Sequence, residues 1–585
     1  MGIFKKLGWY FRQERKRYAM GVLALLLVAL VNLIPPKIIG SMVDAMNDHS
    51  VTAHKLVFWL ALLLFAGIAQ YLFRFAWRVA IWGGAALLER TLRTQLFWHF
   101  MKMDATFYQK HRTGDLMAHA TNDLNAIQNV AGAGVLTMFD SLITGSTTLI
   151  AMITLIDWRL TIVAILPMPL LALMARKLGS KLHDSFGESQ AAFSRLNDKT
   201  QESVSGVKVI KTFGQEKEDT QDFNNLVDRV IKINRRVNFI DSLFDPVTSL
   251  IMGMTYVITI VYGGYLVLNN QITIGQLVSF VSYVSALVWP MFAIGRLFNI
   301  LERGNASYDR VEKLLAEKST IIEAPKAISA PAHGDIRYAV DQFSYPDDDT
   351  NALVDVHFTL RAGKTLGIVG KVGAGKSTIF KLLLREFDNY KGFIEFGGHN
   401  IKEYTLDGLL DSIGYVPQDN FLFSTTVANN IRFSAYNKEA TDVESAARDA
   451  AVHDDILKFT DGYDTMVGER GVSLSGGQKQ RLAIARAVIN GPELLILDDA
   501  LSAVDAKTEE EILENMHRDR ADKTTIIAAH RLSSVMHADE ILVLENGRII
   551  ERGTHDQLLA NDGWYAQMWD LQQLEDKIGG AQDGE

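Results

Sequence analysis

The pattern of hydrophobic and polar positions divides the chain into two halves. Long apolar runs recur through roughly the first 320 residues, whereas the remainder alternates shorter apolar runs with polar segments. Crossing a hydrocarbon core of ~30 Å takes about 20 helical residues. Six runs meet that requirement and predict membrane-spanning helices at residues 20–43, 56–80, 133–156, 160–178, 247–268 and 276–299. Pro35 and Pro36 lie inside the first run and predict a kink there.

The polar segments between these runs predict the orientation of the spans. The segment ahead of the first span is basic, which favours a cytoplasmic N-terminus, and it forms either a helix on the membrane surface or a solvated lead-in. Its basic residues are Lys5, Lys6, Arg12, Arg15, Lys16 and Arg17. The following apolar run is too long for the core of a signal peptide. The two long connections, 81–132 and 179–246, then fall in the cytoplasm, and their amphipathic composition predicts helices that extend the spans.

A few ionisable residues lie inside or near the predicted spans. Arg74 and Arg78 fall at the end of the second span, where an interface or a wet cavity would accommodate them. Asp140 falls inside the third span, and charge within a membrane is costly. The sequence leaves two interpretations of Asp140 open: a contact to substrate or to a cation, or a paired structural charge.

The second half of the chain predicts an α/β domain. A charged stretch at 302–318 resembles a linker, and we place the boundary near Pro325, which gives a membrane domain of residues 1–324. Strand-like and helix-like segments then alternate over residues 325–574, which is typical of a mostly parallel sheet covered by helices. Residues 575–585 are charged and contain glycine, so they predict a flexible tail.

Composition limits the partners and the chemistry. A chain of 585 residues exceeds what one hydrophobic core supports, in line with several domains. The net charge of −9 gives no reason to expect a nucleic-acid partner. The sequence contains no cysteine, which excludes disulfides and thiolate metal sites.

One glycine-rich stretch carries the strongest chemical signal. Residues 370–377 fit G-x-x-x-x-G-K-[ST], the P-loop pattern, between an apolar strand-like run and a helix-forming run. In such a loop the glycines let backbone N–H groups approach phosphate, and the N-terminus of the following helix adds its positive dipole end. Lys376 is then placed to reach the outer phosphates of a nucleoside triphosphate, and Ser377 to ligate Mg²⁺.

Four further motifs lie downstream of the loop. The apolar run 494–497 ends in Asp498, which the carboxyl edge of a parallel sheet would bring to the Mg²⁺ site. Residues 474–478, Leu-Ser-Gly-Gly-Gln, precede a helix-forming run and predict a second anion-binding helix tip. The Gln418 amide suits a metal or an attacking water, and His530, after another strand-like run, suits a terminal phosphate.

Together these motifs resemble the ATP-binding-cassette family, and the resemblance covers essentially the whole chain. It implies a half-transporter that works as a dimer, with two ATP molecules held between the P-loop of one subunit and the Leu-Ser-Gly-Gly-Gln signature of the other. The residues 107–108, 112–116 and 122–123 resemble the first intracellular loop of exporters, and Glu469–Arg470–Gly471 resembles a segment typical of them.

The resemblance also implies roles for individual residues. ATP would contact Tyr345, which stacks on adenine, together with Gly370, Val372, Gly373, Ala374, Gly375, Lys376, Ser377 and Thr378. Mg²⁺ would be held by Ser377, Gln418 and Asp498, and hydrolysis would depend on Asp499, His530 and Gln418. The signature residues Ser475, Gly476, Gly477 and Gln478 would contact the partner's ATP, and Asp505 would belong to the loop at 502–505 that follows the magnesium carboxylate.

One position departs from the family pattern. The family normally has glutamate after the magnesium aspartate, where it polarises the attacking water, and here that position is Asp499. The shorter side chain predicts a site that binds ATP but hydrolyses it poorly. With an intact signature, this resembles one subunit of heterodimeric bacterial multidrug exporters, whose partner supplies the glutamate.

Several functions remain open on the sequence alone. The first is ATP-driven export of hydrophobic or amphipathic compounds across the cell membrane by a heterodimer. The alternative is a lipid or glycolipid flippase, possibly homodimeric. A regulatory or channel-like cassette protein is less favoured because no long regulatory insert is visible, and six predicted spans exclude a soluble cassette ATPase.

Overall fold

The computed structural model describes residues 2–346, 348–468 and 474–582. The chain forms two compact units. The first comprises Met1–Met101 and Thr113–Glu317, and the second comprises Lys102–Arg112 and Lys318–Glu585. Residues 102–112 therefore belong with the second unit, although the chain enters and leaves them from the first. Glu469–Arg470–Gly471, which the sequence likens to an exporter segment, lies outside the described residues.

The first unit is built from helices. Two short π-helical segments, His119–Asp123 and Val130–Gly134, interrupt the run that leads into the third predicted span. The α-helices are α1 Gly2–Lys6, α2 Gly8–Gln13, α3 Arg15–Asn32, α4 Ile34–Asn47, α5 Ala53–Met101, α7 Thr113–Ala118, α8 Leu124–Asn129, α9 Val135–Leu155, α10 Trp158–Ile165, α11 Met168–Ser205, α12 Val207–Thr212, α13 Glu216–Ser242, α14 Phe244–Leu268 and α15 Ile274–Ala316, with α6 Ala105–Lys110 in the second unit.

The described helices include stretches that suit a membrane domain. By length and composition, five helical stretches of the described chain could cross a membrane: Arg15–Asn47, Ala53–Met101, Thr113–Leu155, Glu216–Leu268 and Ile274–Ala316. A shorter apolar stretch, Trp158–Leu171, occupies the fourth predicted span. That span is interrupted, since α10 ends at Ile165 and Pro167 precedes α11. Proline lacks the N–H that a continuous helix would need, which explains the interruption.

Other helix boundaries test the local predictions. The expected kink in the first span is confirmed, because α3 ends at Asn32 and α4 begins at Ile34, with proline in its first turn. The two long connections between spans, 81–132 and 179–246, contain the predicted long helices, in α5, α11 and α13. The linker predicted at 302–318 is wrong for most of its length, since α15 runs unbroken to Ala316.

A buried carboxylate fixes the end of α15 to the π-helical segment. Asp123 accepts hydrogen bonds from the Ser307 hydroxyl at 2.8 Å and from Arg310 Nε at 3.1 Å, and it pairs with His119 Nδ1 at 2.7 Å. The Asp123 carboxylate is thus held by His119 from its own segment and by Ser307 and Arg310 from α15. These contacts explain why the charged residues after 302 form a packed helix instead of a linker.

The second unit contains two sheets. A four-stranded sheet has the order β2-β1-β4-β5, and a six-stranded sheet has the order β10-β9-β3-β8-β7-β6, parallel except for the β10–β9 pair. The strands are β1 Ile336–Phe343, β2 Leu353–Leu360, β3 Thr365–Gly370, β4 Lys391–Phe396, β5 His399–Asn400, β6 Ile413–Val416, β7 Leu494–Asp498, β8 Thr524–Ala528, β9 Glu540–Glu545 and β10 Arg548–Gly553.

Helices complete the α/β architecture that the sequence predicts. They are α16 Lys376–Leu383, α17 Leu406–Leu410, α18 Val427–Ile431, α19 Ala440–Asp449, α20 His453–Leu457, α21 Gly476–Val488, α22 Ala506–Asp519, α23 His555–Ala560 and α24 Trp564–Gln582. The last helix continues to Gln582, into the segment 575–585 that the sequence predicts to be a flexible tail.

The registers of the parallel strands gather the predicted motifs at one edge. Asp498 is paired with Ala528, Ile368 with Ala528, and Val416 with Leu497. The carboxyl ends of β3, β6, β7 and β8 therefore meet at the same edge of the sheet, where ligands of open α/β sheets bind. Strands β7 and β8 are buried along their whole length, as expected for apolar strands covered on both faces.

The short helix α6 is joined to the second unit through Asp104. The Asp104 carboxylate caps α6 by accepting from Phe107 N at 3.1 Å, and it also accepts from the Ser319 and Thr320 hydroxyls, each at 2.8 Å, and from Thr320 N. Ala105 packs against the core that surrounds β1 and β3. Although burial alone would raise the pKa of Asp104, its hydrogen-bond donors lower it.

Candidate nucleotide-binding site

The loop between β3 and α16 has the backbone that close approach to phosphate requires. Gly375 adopts φ +103°, which disfavours side chains, and immediately precedes Lys376, the first residue of α16. A Cβ on Gly370 would lie 2.2 Å from the carbonyl oxygen of Leu544, so only glycine fits there. The loop residues therefore have the strand–loop–helix setting that the sequence predicts.

Lys376 begins α16, and its side chain contacts the loop. Its Nζ donates to the carbonyl oxygen of Gly370 at 2.7 Å and to that of Lys371 at 3.3 Å. Burial lowers the pKa of Lys376, and the nearby carboxylates of Asp499 and Asp498 oppose that effect. A buried ammonium held only by carbonyl oxygens would gain from a polyanion, so the residue fits binding of a triphosphate.

Ser377 and Asp498 form the candidate magnesium site. The Ser377 hydroxyl donates to Asp498 Oδ1 at 3.0 Å, and the Tyr415 hydroxyl donates to Asp498 Oδ2 at 3.4 Å. Burial raises the pKa of Asp498 despite these hydrogen bonds, and the charge of Asp499 adds to the rise. A cation at this position would therefore stabilise the ionised carboxylate.

Ser377 and Asp498 can hold Mg²⁺ when phosphate and water oxygens complete its coordination. Mg²⁺ prefers six oxygen ligands and keeps several of them from water or substrate phosphates. Among the described residues, no cluster of three or more His, Asp or Glu side chains forms a metal site by itself. Ser377 and Asp498 would supply two oxygens, and ATP and water would supply the others.

Asp499 and His530 line one small cavity. The cavity has a volume of about 120 Å³, and residues of the segments after β7 and β8 surround it. Asp499 adopts φ +51°, a left-handed conformation that is uncommon for residues other than glycine, and its N–H donates to the carbonyl oxygen of Ala528 at 2.9 Å. The structure thus brings together two residues that the sequence singled out for hydrolysis.

The remaining predicted residues lie around this edge in different settings. The Tyr345 hydroxyl lies 3.0 Å from Thr378 Oγ1, and the Tyr345 ring lies 5.4 Å from Lys381 Nζ. An aromatic face beside the P-loop helix fits adenine stacking. Gln418 follows β6 at the same edge, and its side chain is exposed.

The signature residues form a capped helix N-terminus. Ser475 Oγ accepts from Gln478 N at 3.2 Å, and Gln478 Oε1 accepts from Ser475 N at 3.1 Å, a reciprocal capping box that begins α21. Gly477 lies against the carbonyl oxygen of Ala503, which a Cβ would approach to 2.9 Å. Within the described chain, Ser475–Gln478 make no hydrogen bond to the P-loop.

Two residues that the sequence did not single out complete the site. Tyr415 supports Asp498, as described above. Gln480, on α21, accepts from Ala503 N at 2.9 Å and donates to the Ser502 hydroxyl at 3.2 Å. Gln480 thereby ties the signature helix to the loop at 502–505, in which Asp505 caps α22 by accepting from Thr508 N at 3.0 Å. In the sequence, Tyr415 is marked by its nearness to Gln418, and Gln480 by its nearness to the signature motif.

Together, the fold and this site define a membrane protein with a fused nucleotide-binding ATPase domain. Comparisons with known proteins identify its family. The family model described as "ABC transporter transmembrane region" matches residues 18–291, and the model described as "ABC transporter" matches residues 353–502. The chain belongs to the ABC transporter family.

Individual relatives match this chain over almost its full length. The probable multidrug resistance ABC transporter ATP-binding/permease protein YheI of Bacillus subtilis is 46% identical over 572 residues, which cover 98% of each chain. An ATP-dependent lipid A-core flippase of Syntrophus aciditrophicus is 32% identical, covering 99% of this chain and 96% of its own. The solved structure of a bacterial Atm1-family ABC exporter with ATP bound aligns with a TM-score of 0.76 at 28% identity, covering 95% of this chain and 98% of that one.

These findings confirm the coarse predictions. The chain is an ATP-driven, multi-pass ABC exporter subunit with fused membrane and ATPase domains, homologous to multidrug exporters. They leave the unequal dimer and the poor hydrolysis at Asp499 as hypotheses.

Proposed function

We propose that this chain is the ATP-retaining half of a heterodimeric exporter of hydrophobic or amphipathic compounds. Its own P-loop site binds ATP and Mg²⁺ and hydrolyses ATP slowly, while its signature motif completes the competent site of a partner that carries the catalytic glutamate. The observation that carries the proposal is Asp499, at the position where the family has glutamate.

The backbone at Asp499 limits any compensation for the shorter side chain. Its N–H is bonded to the carbonyl oxygen of Ala528 on β8, and its own carbonyl oxygen accepts from the Ser502 hydroxyl at 3.0 Å. Since the N–H and the carbonyl oxygen of Asp499 are both hydrogen-bonded, a main-chain shift that advanced the carboxylate would have to break or strain these bonds. A base must lie within hydrogen-bond reach of its water, and a displacement of ~1 Å can cost on the order of 10²-fold in rate.

The other residues of the site support binding. Lys376 and the N–H groups of the P-loop would hold the phosphates, Tyr345 would stack on adenine, and Ser377, Asp498 and Gln418 would hold Mg²⁺. His530 would contact the terminal phosphate across the small cavity that it shares with Asp499. These are the groups for nucleotide retention, and in this proposal the shorter carboxylate of Asp499 is what slows hydrolysis.

The signature motif supports the second half of the proposal. In the capping box, Ser475 Oγ accepts from Gln478 N, so its own O–H remains available as a donor. Ser475 thus offers a phosphate-binding hydroxyl at the tip of α21, a helix of 13 residues. An intact tip on a chain with a deficient base fits a division of labour between two different subunits.

The substrate class rests on relatives and on the membrane domain. YheI is named a probable multidrug resistance transporter, which favours hydrophobic or amphipathic compounds as cargo. The alternative is lipid or glycolipid flipping, favoured by the relative named a lipid A-core flippase. Stimulation of ATPase activity by aromatic drugs favours the first function, whereas stimulation by added lipid A with no response to drugs favours the second.

We also propose that the N-terminus and the ATPase domain face the cytoplasm of a cell-membrane protein. The basic segment at residues 5–17 supports this orientation. Protease treatment of inside-out vesicles should then digest the ATPase domain, and resistance there with digestion in right-side-out vesicles would reverse the topology.

Subunit composition in the native membrane tests the heterodimer. The chain should be extracted from its own host with a tag on one copy and analysed by native mass spectrometry. We expect a 1:1 complex with a second, different half-transporter that has glutamate after its magnesium aspartate. A complex of two copies of this chain with full ATPase activity would contradict the proposal.

A further inference from the structure

Asp140 and Trp289 meet between two predicted membrane spans. Asp140 lies on α9 and Trp289 on α15, and the Trp289 indole Nε1 donates to Asp140 Oδ2 at 3.2 Å. The other carboxylate oxygen, Oδ1, is 3.4 Å from the hydroxyl of Thr144, one helical turn away. Both partners are neutral, so the two hydrogen bonds leave the negative charge of Asp140 uncompensated.

No basic side chain that the structure describes supplies the missing charge. Across the described side chains, no Lys, Arg or His forms an ion pair with Asp140. Arg296, the next basic residue along α15, follows Trp289 by seven residues, a rise of ~10 Å along the helix. An unpaired carboxylate facing hydrocarbon is costly, so this face must border water or polar groups in the membrane.

The surroundings of the pair combine an aromatic face with polar acceptors. The Trp289 side chain is 51% exposed, although one edge is fixed by Asp140. One turn before Trp289, Ser285 is exposed, and its hydroxyl lies 2.7 Å from the Tyr256 hydroxyl on α14. Pro290 has no N–H, so the carbonyl oxygen of Ala286 on the same exposed face loses its helical partner.

We infer that Asp140 and Trp289 form a subsite for the cationic group of amphipathic organic cations. The carboxylate supplies the opposite charge, the indole face attracts a cation through its quadrupole, and the Tyr256–Ser285 pair and the Ala286 carbonyl add neutral acceptors. The geometry favours a bulky organic cation over a metal ion, since one carboxylate and one aromatic face make a poor inorganic site. The inference deepens the proposed function, on which it rests, by assigning a charge preference to the cargo.

A purely structural role for Asp140 predicts something different. If the carboxylate only held α9 against α15, the amide of Asp140→Asn could still accept from the Trp289 indole. Any change in affinity would then be the same for cargo of every charge. A cation subsite instead predicts loss of cationic cargo alone. The charge of the cargo is therefore the variable that separates the two roles.

The test uses two probes of similar aromatic bulk. Tetraphenylphosphonium carries a positive charge and triphenylphosphine oxide is neutral, and their dissociation constants would be measured by equilibrium dialysis on the full chain in lipid nanodiscs. We expect Asp140→Asn to weaken tetraphenylphosphonium at least about tenfold and to change the neutral probe less than about twofold. Asp140→Glu should retain the preference for the cation, and Trp289→Leu should lose more of it than Trp289→Phe.

Asp44 provides a matched control. Its carboxylate accepts from Gly275 N at 2.7 Å and from the Thr273 hydroxyl at 2.6 Å, so it stabilises the start of α15. Asp44→Asn should alter thermal stability without altering the ratio of the two affinities. Equal weakening of both probes by Asp140→Asn, or unchanged binding of the cation, would overturn the inference alone. Failure of the wild-type chain to bind either probe would overturn both the inference and the proposed cargo class.

Discussion

The substitution Asp499→Glu, which adds one methylene group to the side chain, should restore hydrolysis. Asp499→Glu extends the carboxylate by one C–C bond, roughly 1.5 Å, toward the cavity that Asp499 shares with His530. Since a misplacement of ~1 Å can cost on the order of 10²-fold, we expect turnover at this chain's own site to rise by about that factor. A 10²-fold gain corresponds to about 2.7 kcal/mol of transition-state stabilisation. The left-handed backbone at Asp499 tolerates glutamate less well than aspartate, a cost that falls on folding.

The assay is steady-state phosphate release by the purified full chain in nanodiscs loaded with two copies. Two identical copies provide two of this chain's P-loop sites, each facing an intact signature, so the substitution at Asp499 is the only variable. The matched control is Asp499→Asn, which keeps the length of aspartate and removes its charge. We expect slow turnover for the wild type and the control, and a large gain for Asp499→Glu alone.

Three results would refute this reasoning. Brisk wild-type turnover, on the order of 1 s⁻¹ or faster, would show that aspartate is an adequate base in this site. A large loss in Asp499→Asn would show the same. Loss of ATP binding in Asp499→Glu, measured separately, would show a steric effect of the longer side chain and would also count against the geometry described here.

Three further predictions follow from other parts of the site. In the complex with its partner, Ser475→Ala should reduce drug transport at least tenfold, whereas Asp499→Ala should reduce it less than about twofold; equal losses would remove the asymmetry. Tyr345→Ala should weaken ATP binding about tenfold or more because stacking on a base contributes ~1–3 kcal/mol, and Tyr345→Phe, which loses only the contact to Thr378, should change it little; equal effects in equilibrium binding would exclude stacking. Asp104→Ala should destabilise the second unit by about 1–2 kcal/mol at pH 7, since it removes a helix cap. Because the pKa of folded Asp104 is lowered, its contribution is complete above the ordinary carboxyl pKa of about 4 and disappears as the pH falls through the lower value, so thermal melting of wild type and variant should converge in acid.

Much of the site could be predicted because its motifs fix local conformation. Only glycine fits the backbone at Gly370 and Gly375. Lys376 and Ser377, which end the motif, are the first two residues of α16. Buried parallel strands carry their polar residues to a common edge, so the meeting of Asp498, Asp499 and His530 followed from topology.

The rest depends on contacts that are distant in sequence. The charged residues after 302 looked like a linker, because nothing local reveals that Asp123 accepts from Ser307 and Arg310 and holds them in α15. The grouping of α6 with the second unit depends on hydrogen bonds from Ser319 and Thr320, more than 200 residues away, to Asp104. The interruption of the fourth span has a local cause, Pro167, which lies inside the apolar run 160–178.

The nucleotide retained by this chain's own P-loop site tests the central claim most directly. The complex with its partner, or the chain alone if it is stable, would be mixed with radiolabelled ATP and Mg²⁺, freed of excess nucleotide, and quenched at intervals to measure ATP and ADP. Crosslinking of a photoreactive analogue to the peptide of this chain that contains Tyr345, and not to the peptide that contains Ser475, would assign the retained fraction to its own site. Our account predicts intact ATP on this chain long after the partner's nucleotide has become ADP. Conversion to ADP at equal rates on both subunits would contradict it.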